Sequence, residues 1–267
     1  MREITELKEL QKIELEMLQE IDKICRHYHI RYYLAGGTLL GAVRHQGFIP
    51  WDDDMDIVMM RDQYELLMAN FNEWRTTERF KLVSYRDKSS IYQFAKIVDT
   101  TTVIYENFVG KKASTGVWVD VFPMEHFSEQ QGPALLRQCQ RVGLLRSFAV
   151  TDPSVGSNAF VKLIKRIVCP FVKNKDLYEL AARLDEIALS MDKADPTSSR
   201  VVDVLGEGKL QKTCPADLFE PVRIPFEDRE FFAPAGSEEY LTIQYGDWRT
   251  PPAENARPVH VMEAYRL

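Results

Sequence analysis

The sequence predicts a mixed α/β (α+β) fold, in which a mixed sheet is flanked by helices and carries an appended helical lobe. The chain has 267 residues, of which 45% are hydrophobic, and this is enough to bury one large core. Short β-prone runs alternate with helical stretches in the first half, and a basic helical stretch follows. No repeat or low-complexity tract is present. One compact unit is therefore favoured over a modular chain.

The first segment predicts a long amphipathic helix. We expect it to brace the sheet, and a coiled-coil dimer is the alternative use of its apolar stripe. Strands are predicted over residues 32–35, 55–60, 80–85, 92–98, 102–105 and 116–122, with a helix over 63–71 between them. The stripe consists of apolar residues spaced by three or four: Ile4, Leu7, Leu10, Ile13, Met17, Leu18, Ile21 and Ile24.

The most informative segment is residues 36–57, GGTLLGAVRHQGFIPWDDDMDI, because it contains four aspartates. Residues two apart in an extended chain point the same way, so Asp54 and Asp56 are expected to aim their carboxylates at one point. Asp52 and Asp53 are adjacent, so their side chains are expected to diverge, and at least one should support the site without binding the ion. Oxygen ligands indicate Mg²⁺ or Mn²⁺, which in turn indicates a phosphorylated substrate.

Upstream, the segment Gly36-Gly37-Thr38 predicts a tight turn between a strand and a short helix. Glycines allow close approach of a ligand, and free N–H groups at a helix start, with the Thr38 hydroxyl, favour an anion. An ordinary turn is the alternative. Arg44 and His45 either contact a phosphate or lie on the surface, and Trp51 either stacks on a base or a choline group or simply packs.

A third carboxylate, Asp120, lies in the β-prone run GVWVDVFP, which predicts a strand that stops at Pro123. An aspartate inside such a strand needs a partner. Its partner is either a basic side chain or a metal ion shared with Asp54 and Asp56. Because those two carboxylates are available, the shared metal is favoured.

These parts together resemble a known superfamily. A Gly-Gly turn, an Asp-x-Asp pair on a strand and a third Asp on a later strand are similar to the nucleotidyltransferase superfamily. More narrowly, GGTLLGAVRHQGFIPWDDDMDI followed by GVWVDVFPM resembles the LicD family of phosphotransferases, which includes phosphocholine transferases and fukutin-type phosphoribitol transferases. The resemblance covers residues from about 31 to 124, and a looser similarity runs from Tyr245-Gly246-Asp247-Trp248 to His260.

The resemblance implies a nucleotidyltransferase-like sheet and a metal-dependent reaction. Phosphocholine would pass from CDP-choline to a sugar hydroxyl of a lipid-linked glycopolymer precursor, of the teichoic acid or lipopolysaccharide type, with release of CMP. Asp54, Asp56 and Asp120 are the implied catalytic residues and ligands of Mg²⁺ or Mn²⁺, and Asp120 is either a ligand or the base that deprotonates the hydroxyl. The implied donor contacts are Gly36, Gly37, Thr38, Arg44, His45 and His260.

Three other functions compete with this one: synthesis of an activated nucleotide donor, transfer of another phospho-alcohol such as phosphoribitol or phosphoglycerol, and a non-catalytic binding module. The three aspartates disfavour the binding module, because their repulsion costs stability without a cation. Choline specificity would need an aromatic or acidic pocket, although core packing explains the available rings equally well. The candidate rings are Tyr92, Phe94, Tyr105, Phe108, Trp118 and Phe122.

The predicted boundaries are a nucleotidyltransferase-like core over residues 1–129, a basic helical insertion over 130–195 and a segment over 196–267 that completes the core and the donor site. Residues 130–175 carry a net charge of +7, so the remainder carries −13. Residues 160–171 indicate a basic amphipathic helix on an anionic membrane or, as the alternative, ordinary packing. The net negative charge of the whole chain disfavours nucleic acid as a partner.

In the last segment, a helix is predicted over 177–191, strands over 201–205, 222–226 and 229–232 with a hairpin at 227–228, and a helix over 238–245 that stops at Gly246. The following loop, 247–252, is expected to fold over the donor. The four cysteines form no C-x-x-C pair, and no signal peptide or membrane span is recognised. We therefore expect a cytoplasmic protein, with the inner face of the cell membrane as its site of action.

Overall fold

The computed structural model describes residues 1–106, 115–151, 159–257 and 262–267, without the side chains of 106, 159–164, 256 and 262. Phe108, His260 and the side chain of Lys162 therefore lie outside the described part. The helices are α1 Leu7–His27, α2 Gly36–His45, α3 Arg61–Trp74, α4 Gly132–Val150, α5 Ala159–Val172, α6 Leu177–Ala194 and α7 Ser237–Tyr245. The strands are β1 Arg2–Glu3, β2 Tyr33–Leu34, β3 Asp56–Met60, β4 Phe80–Val83, β5 Ala95–Asp99, β6 Thr102–Glu106, β7 Trp118–His126, β8 Arg200–Val202, β9 Cys214–Pro215, β10 Pro221–Phe226, β11 Arg229–Pro234 and β12 Met262–Arg266.

The central sheet is mixed and has the order β2-β3-β7-β5-β4, and β8 and β9 extend it from the far half of β7. β3 and β7 run parallel, whereas their other neighbours in this sheet are antiparallel. A second sheet, β1-β12-β6, and the hairpin β10-β11 complete the β-structure of the described residues. The predicted mixed α/β class is confirmed.

The first helix, α1, packs on the sheet against β5 and β7. Its apolar stripe supplies Ile13, Met17, Leu18 and Ile21, each almost fully buried in the main core. Burial of such a stripe is what stabilises a helix of this kind, because intrinsic propensity alone contributes little. The prediction that this helix packs on and supports the sheet is confirmed.

The strand β7 continues through Pro123 to His126, so the prediction that it stops at the proline is wrong. The N–H of Asp120 points towards β3, since it donates to the carbonyl of Met55. Position 123, an odd number of residues away, therefore faces the opposite edge. On that edge β5 pairs with β7 only as far as Val121, which is opposite Ala95, and β8 pairs with β7 only from Glu125 onwards, which is opposite Val202. The missing N–H of Pro123 falls in this gap and costs no ladder hydrogen bond.

A second apolar cluster forms between α4, α6 and the segment that follows β7 and β8. A buried ion-pair network joins it to the main core: Arg61 of α3 lies 2.9 Å from a carboxylate oxygen of Asp185 on α6 and also pairs with Glu125 of β7. Arg61 is 5% exposed and Glu125 is fully buried. These contacts fix α6 against the sheet.

Two features in the last third of the chain help to position the site. The strand predicted over 201–205 ends at Val202, because the N–H of Gly206 donates to the carboxylate of Asp203 over 2.7 Å and closes a turn. The predicted hairpin at 227–228 and the predicted end of α7 at Gly246 are confirmed, and Gly246 has the positive φ of 70° that favours glycine there.

Candidate active site

Two carboxylates of the predicted site lie side by side on adjacent strands. Asp56 begins β3 and is directly opposite Asp120 of the parallel strand β7. Burial raises the pKa of Asp56 well above its usual range, and the negative charges of Asp54 and Asp120 raise it further. This mutual repulsion is what a bound cation would relieve.

The three aspartates before β3 also converge. One carboxylate oxygen from each of Asp52, Asp53 and Asp54 lies within 4.8 Å of the others. The prediction that the side chains of Asp52 and Asp53 diverge is therefore wrong. The N–H of Asp52 donates to the carbonyl of Ile49, which closes a turn, and Gln11 of α1 donates to the carbonyl of Asp52 over 3.0 Å. Residues 52–55 lie between this turn and β3 and belong to no strand, so the alternation of side chains along an extended strand does not apply to them.

The two glycines that open α2 make room for these carboxylates. A Cβ atom at Gly36 would clash with the carboxylate of Asp56, and one at Gly37 would clash with that of Asp52. Gly36 also has a positive φ of 53°, a conformation that glycine adopts at little cost. Thr38 is buried, and its hydroxyl oxygen accepts the N–H of Asp56 over 2.8 Å. Gly36 and Gly37 belong to the first turn of α2 rather than to a separate turn before it, and their contact with a phosphate stays a prediction.

Lys96 is a component that the sequence analysis missed. It lies opposite Asp120 in the β5–β7 register, is 2% exposed, and places its ammonium 2.7 Å from a carboxylate oxygen of Asp120. The ammonium also lies over the rings of Trp118 at 4.0 Å, Tyr92 at 4.3 Å and Phe94 at 5.5 Å. Three of the six rings considered for choline therefore already surround a cation of the protein. A lysine inside the apolar run FAKIV was the available signal, since lysine is rarely buried without a partner.

Two cavities meet at the carboxylates. The first, here named the tryptophan cleft, has a volume of about 500 Å³, and the second, the aromatic–acidic cavity, about 320 Å³. Both are lined by Asp56 and Tyr245, so these residues mark the boundary between them. A substrate that reacts at the carboxylates can therefore extend to either side.

The tryptophan cleft combines apolar walls with one basic side chain among its described lining residues, Arg44. Arg44 donates to the carbonyl of Trp248 over 2.8 Å and its Nε lies 3.0 Å from His45. Burial lowers the pKa of both side chains, and the charge of Arg44 lowers that of His45 further. Trp51, Asp247, Thr250 and Pro252 also line the cleft, so the predicted 247–252 loop reaches the site.

The aromatic–acidic cavity adds a carboxylate that the sequence analysis also missed, Asp203. Asp203 is half-buried in the turn after β8, and burial raises its pKa to about 7. Its signal is the turn-forming run DVLGEG, which overlaps the strand predicted over 201–205. The described lining residues are Ala35, Gly36, Asp56, Val58, Gln93, Phe94, Phe122, Asp203, Leu205, Gly206, Glu207, Tyr240, Gln244 and Tyr245.

The sequence of this chain is similar to those of known proteins. A family model described as "LicD/FKTN/FKRP, nucleotidyltransferase domain" matches residues 29–136. Lipopolysaccharide cholinephosphotransferase LicD of Haemophilus influenzae is 31% identical over 275 aligned positions, which span all of both chains. The chain belongs to the LicD family. It is accordingly an enzyme, a transferase of the LicD type, as the sequence analysis expected.

Two shorter similarities cover parts of the chain. Human ribitol 5-phosphate transferase FKRP is 61% identical over 28 residues, which are 10% of this chain and 6% of FKRP. An uncharacterized protein of Rickettsia typhi is 36% identical over 73 residues, 27% of this chain and 22% of that protein. The LicD family model includes the aspartates of β3 and β7, whereas Asp203, Tyr245 and Trp248 lie beyond its match. The two cavities of this LicD protein are therefore completed by its C-terminal part.

No helix in the described part of this LicD protein has the length and apolar character needed to cross a bilayer.

Proposed function

We propose that this protein transfers phosphocholine from CDP-choline to a sugar hydroxyl of lipopolysaccharide or a related lipid-linked glycan, and releases CMP. The observation that carries the proposal is Asp56, which lines both cavities, together with Asp120, which is directly opposite it on the parallel strand. The full-length similarity to a lipopolysaccharide cholinephosphotransferase supports the choice of transferred group and acceptor. Teichoic acid is the alternative acceptor class.

The donor set fits a hard divalent cation. It consists of carboxylates alone: Asp52, Asp53 and Asp54 each bring an oxygen within 4.8 Å of the others, and Asp56 and Asp120 are opposite each other on adjacent strands. Oxygen ligands suit Mg²⁺ or Mn²⁺. Asp54, Asp56 and Asp120 would hold the ion, with Asp52 and Asp53 beside them. When bound, the ion neutralises charge on the donor diphosphate and on the departing CMP.

The protein's own residues position and polarise the reactants. Arg44 in the tryptophan cleft offers a guanidinium to the nucleotide phosphates. The acceptor oxygen attacks the phosphorus that carries choline, the bond from that phosphorus to the bridging oxygen breaks, and CMP leaves with the bridging oxygen. Asp120 either completes the ligands of the ion or takes the hydroxyl proton, and Lys96 fixes one oxygen of Asp120 in both cases. No covalent intermediate is required.

A second candidate is the transfer of a different phospho-alcohol, such as phosphoribitol. The specific support is the short stretch that is 61% identical to a ribitol 5-phosphate transferase. The carboxylates and Arg44 serve both reactions equally, because they contact phosphate and metal. The alcohol is distinguished elsewhere in the site.

A lipid-linked acceptor is consistent with a basic and apolar surface on the helical part. Ile167 and Phe171, four residues apart on α5, are 58% and 82% exposed, and Leu144 of α4 is 60% exposed. Arg166 on the same helix is exposed as well. Exposed apolar side chains among basic ones favour a surface rich in anionic lipid, so we propose peripheral contact with the inner face of the membrane.

The test is CMP release by the purified protein from CDP-choline, CDP-ribitol, CDP-glycerol and a nucleoside triphosphate. Each donor is offered with and without Mg²⁺ or Mn²⁺, and with and without lipopolysaccharide. We expect metal-dependent and acceptor-stimulated release of CMP from CDP-choline above the other donors. Preferred turnover of CDP-ribitol would establish the second candidate, and pyrophosphate release from the triphosphate would establish a nucleotidyltransferase.

A further inference from the structure

The sheet face that carries the carboxylates continues as the floor of the aromatic–acidic cavity. Side chains two residues apart on a strand point the same way, so Val58 lies beside Asp56 and Phe122 beside Asp120. Val58 and Phe122 are directly opposite each other in the β3–β7 register, and both line the cavity. The ring centroid of Phe94 lies 4.3 Å from that of Phe122. The cavity thus begins at a reacting carboxylate and is walled by two rings in contact.

The ionisable side chains that line this cavity are carboxylic acids and tyrosines, and one of the carboxylates, Glu207, lies 3.2 Å from the ammonium of Lys209. Asp203 and Glu207 line it, and its described lining residues include neither lysine nor arginine. In the part of the chain that the structure describes, Asp203 forms no ion pair with a basic side chain. Its main polar contact is the N–H of Gly206, and the charge of Glu207 opposes its ionisation. Lys96, the nearest basic side chain in contact with Phe94, is already paired with Asp120.

The tryptophan cleft combines Arg44 with four carboxylates, those of Asp52, Asp54, Asp56 and Asp247, and so includes part of the proposed metal site. Its two indole rings are covered by guanidinium groups of the protein: Arg257 lies 4.0 Å from the ring centroid of Trp51, and Arg249 lies 4.2 Å from that of Trp248. These indole faces are already covered by cations of the protein, whereas Arg44 and a metal ion held by the carboxylates would attract the phosphates of a nucleotide. The larger cleft therefore suits the nucleotide part of a donor.

We propose that the aromatic–acidic cavity binds the trimethylammonium group of the donor's choline, an inference that rests on the proposed phosphocholine transfer. Phe94 and Phe122 supply ring faces for a quaternary ammonium, the carboxylate of Glu207 supplies opposite charge, and a bound cation would favour the ionised form of Asp203. The cavity volume of about 320 Å³ is at the small end for ligand pockets, which suits a headgroup rather than a nucleotide. The scissile phosphate then lies between the two cavities, at Asp56.

The test compares CDP-choline with its neutral analogue CDP-dimethylbutanol, in which carbon replaces the nitrogen of choline. Affinities are measured by titration calorimetry, with CMP as the reference ligand, and donor KM and kcat are measured in parallel. We expect the wild-type protein to prefer CDP-choline by about tenfold. Asp203→Asn, which keeps an acceptor for the Gly206 N–H, and Phe122→Leu should each reduce this preference by about threefold or more without changing the affinity for CMP.

Asp217→Asn is the matched control, because Asp217 is exposed and does not line the cavity; it should keep the wild-type preference. If Asp203→Asn fails to fold, Glu207→Gln provides the same comparison, since its carboxylate is 47% exposed. Transfer from CDP-choline with no preference over the neutral analogue would overturn this inference and leave the proposed function standing. The same holds for variants that change only the acceptor KM, which would assign the cavity to the sugar. No binding or transfer of CDP-choline by the wild type would overturn both.

Discussion

The ammonium of Lys96 lies 2.7 Å from a carboxylate oxygen of Asp120, and the two residues are directly opposite each other on β5 and β7. Both are buried, at 2% and 8% exposure. A charge in such a place is stable only with a partner, because desolvation of an isolated ion is costly. The pair therefore couples the stability of the sheet to the catalytic carboxylate.

Lys96→Met should lower the free energy of unfolding by about 3 kcal/mol, because it removes the cation that compensates the buried carboxylate. Adding Asp120→Asn should recover part of that loss, since the amide carries no charge. Chemical denaturation of the two single variants and the double variant measures this coupling. Lys81→Met on the neighbouring β4 is the control and should change the unfolding free energy by about 0.5 kcal/mol or less. Strictly additive effects of Lys96→Met and Asp120→Asn would refute the coupling.

Asp54→Asn and Asp56→Asn should each reduce CMP release by about 10³-fold, because each removes a negative ligand from the proposed ion. Affinity for Mn²⁺, followed by calorimetry, should fall in the same variants, and circular dichroism should remain that of the wild type. Asp217→Asn serves as the control and should keep both properties. Near-normal turnover in either the Asp54 or the Asp56 variant would remove that carboxylate from the mechanism.

Gly37→Ala should impair the site, because the added Cβ would occupy the space of the Asp52 carboxylate. We expect a loss of metal-dependent turnover of about tenfold or more, because the Asp52 carboxylate must move, with a change in the unfolding free energy of only about 1 kcal/mol, because that side chain can rotate away and alanine favours the helix. Gly143→Ala on α4 is the matched control, because its Cβ would meet no atom within 4 Å. It should raise the unfolding free energy by about 0.5–1 kcal/mol through helix propensity. Equal effects at the two glycines would contradict the packing argument.

Asp203 should make stability depend on pH. Burial raises its pKa to about 7 in the folded protein, whereas the unfolded chain has an ordinary value of about 4. The folded state therefore binds the proton more tightly, and the resulting stabilisation is complete below about pH 4 and is lost as pH rises through about 7. Asp203→Asn stays neutral, so relative to the wild type its unfolding free energy should rise by about 2 kcal/mol between pH 5 and 8.

Parallel denaturant titrations of both proteins across this pH range measure that difference, and the comparison cancels titrating groups elsewhere in the chain. A constant difference between wild type and Asp203→Asn would mean that the carboxyl of Asp203 ionises normally in the folded protein.

The exposed apolar residues of α5 should mediate lipid binding. Ile167→Ser with Phe171→Ser should weaken sedimentation with vesicles that contain anionic lipid by about tenfold, because two apolar side chains no longer insert. Charge reversal at Lys165 and Arg166 should have a similar effect that disappears at high salt. Leu66→Ser is a suitable control, since Leu66 is 47% exposed on α3. Unchanged vesicle binding in all α5 variants would exclude this surface.

The sequence predicted the parts whose signal is local. The amphipathic stripe of α1, the hairpin at 227–228 and the end of α7 at Gly246 follow from periodicity and turn chemistry, and each is present. The sequence did not predict that β7 continues through Pro123. The continuation depends on the gap between the part of β7 that pairs with β5 and the part that pairs with β8, and the local sequence does not contain this information.

The site was predictable to the extent that its residues are adjacent in sequence. Asp54 and Asp56 predicted a carboxylate cluster, and Asp120 was recognised because an aspartate is unusual inside an apolar run. Lys96 and Asp203 were not recognised from the sequence. Lys96 matters because the strand register places it opposite Asp120, and Asp203 matters because its turn lines the same cavity as Phe94 and Phe122. Conversely, the contact between Asp52 and Gly37 shows that a glycine expected to face a ligand also accommodates a carboxylate.

The most direct test of the central claim is the transfer of choline-labelled phosphocholine from CDP-choline to purified lipopolysaccharide, measured in the wild type and in Asp56→Asn, with and without Mg²⁺. The account predicts label in the lipopolysaccharide and an equal amount of CMP for the wild type with metal, and neither without metal or with Asp56→Asn. Label that is equally incorporated by Asp56→Asn, or its absence from the acceptor while the wild type turns over another donor, would contradict it.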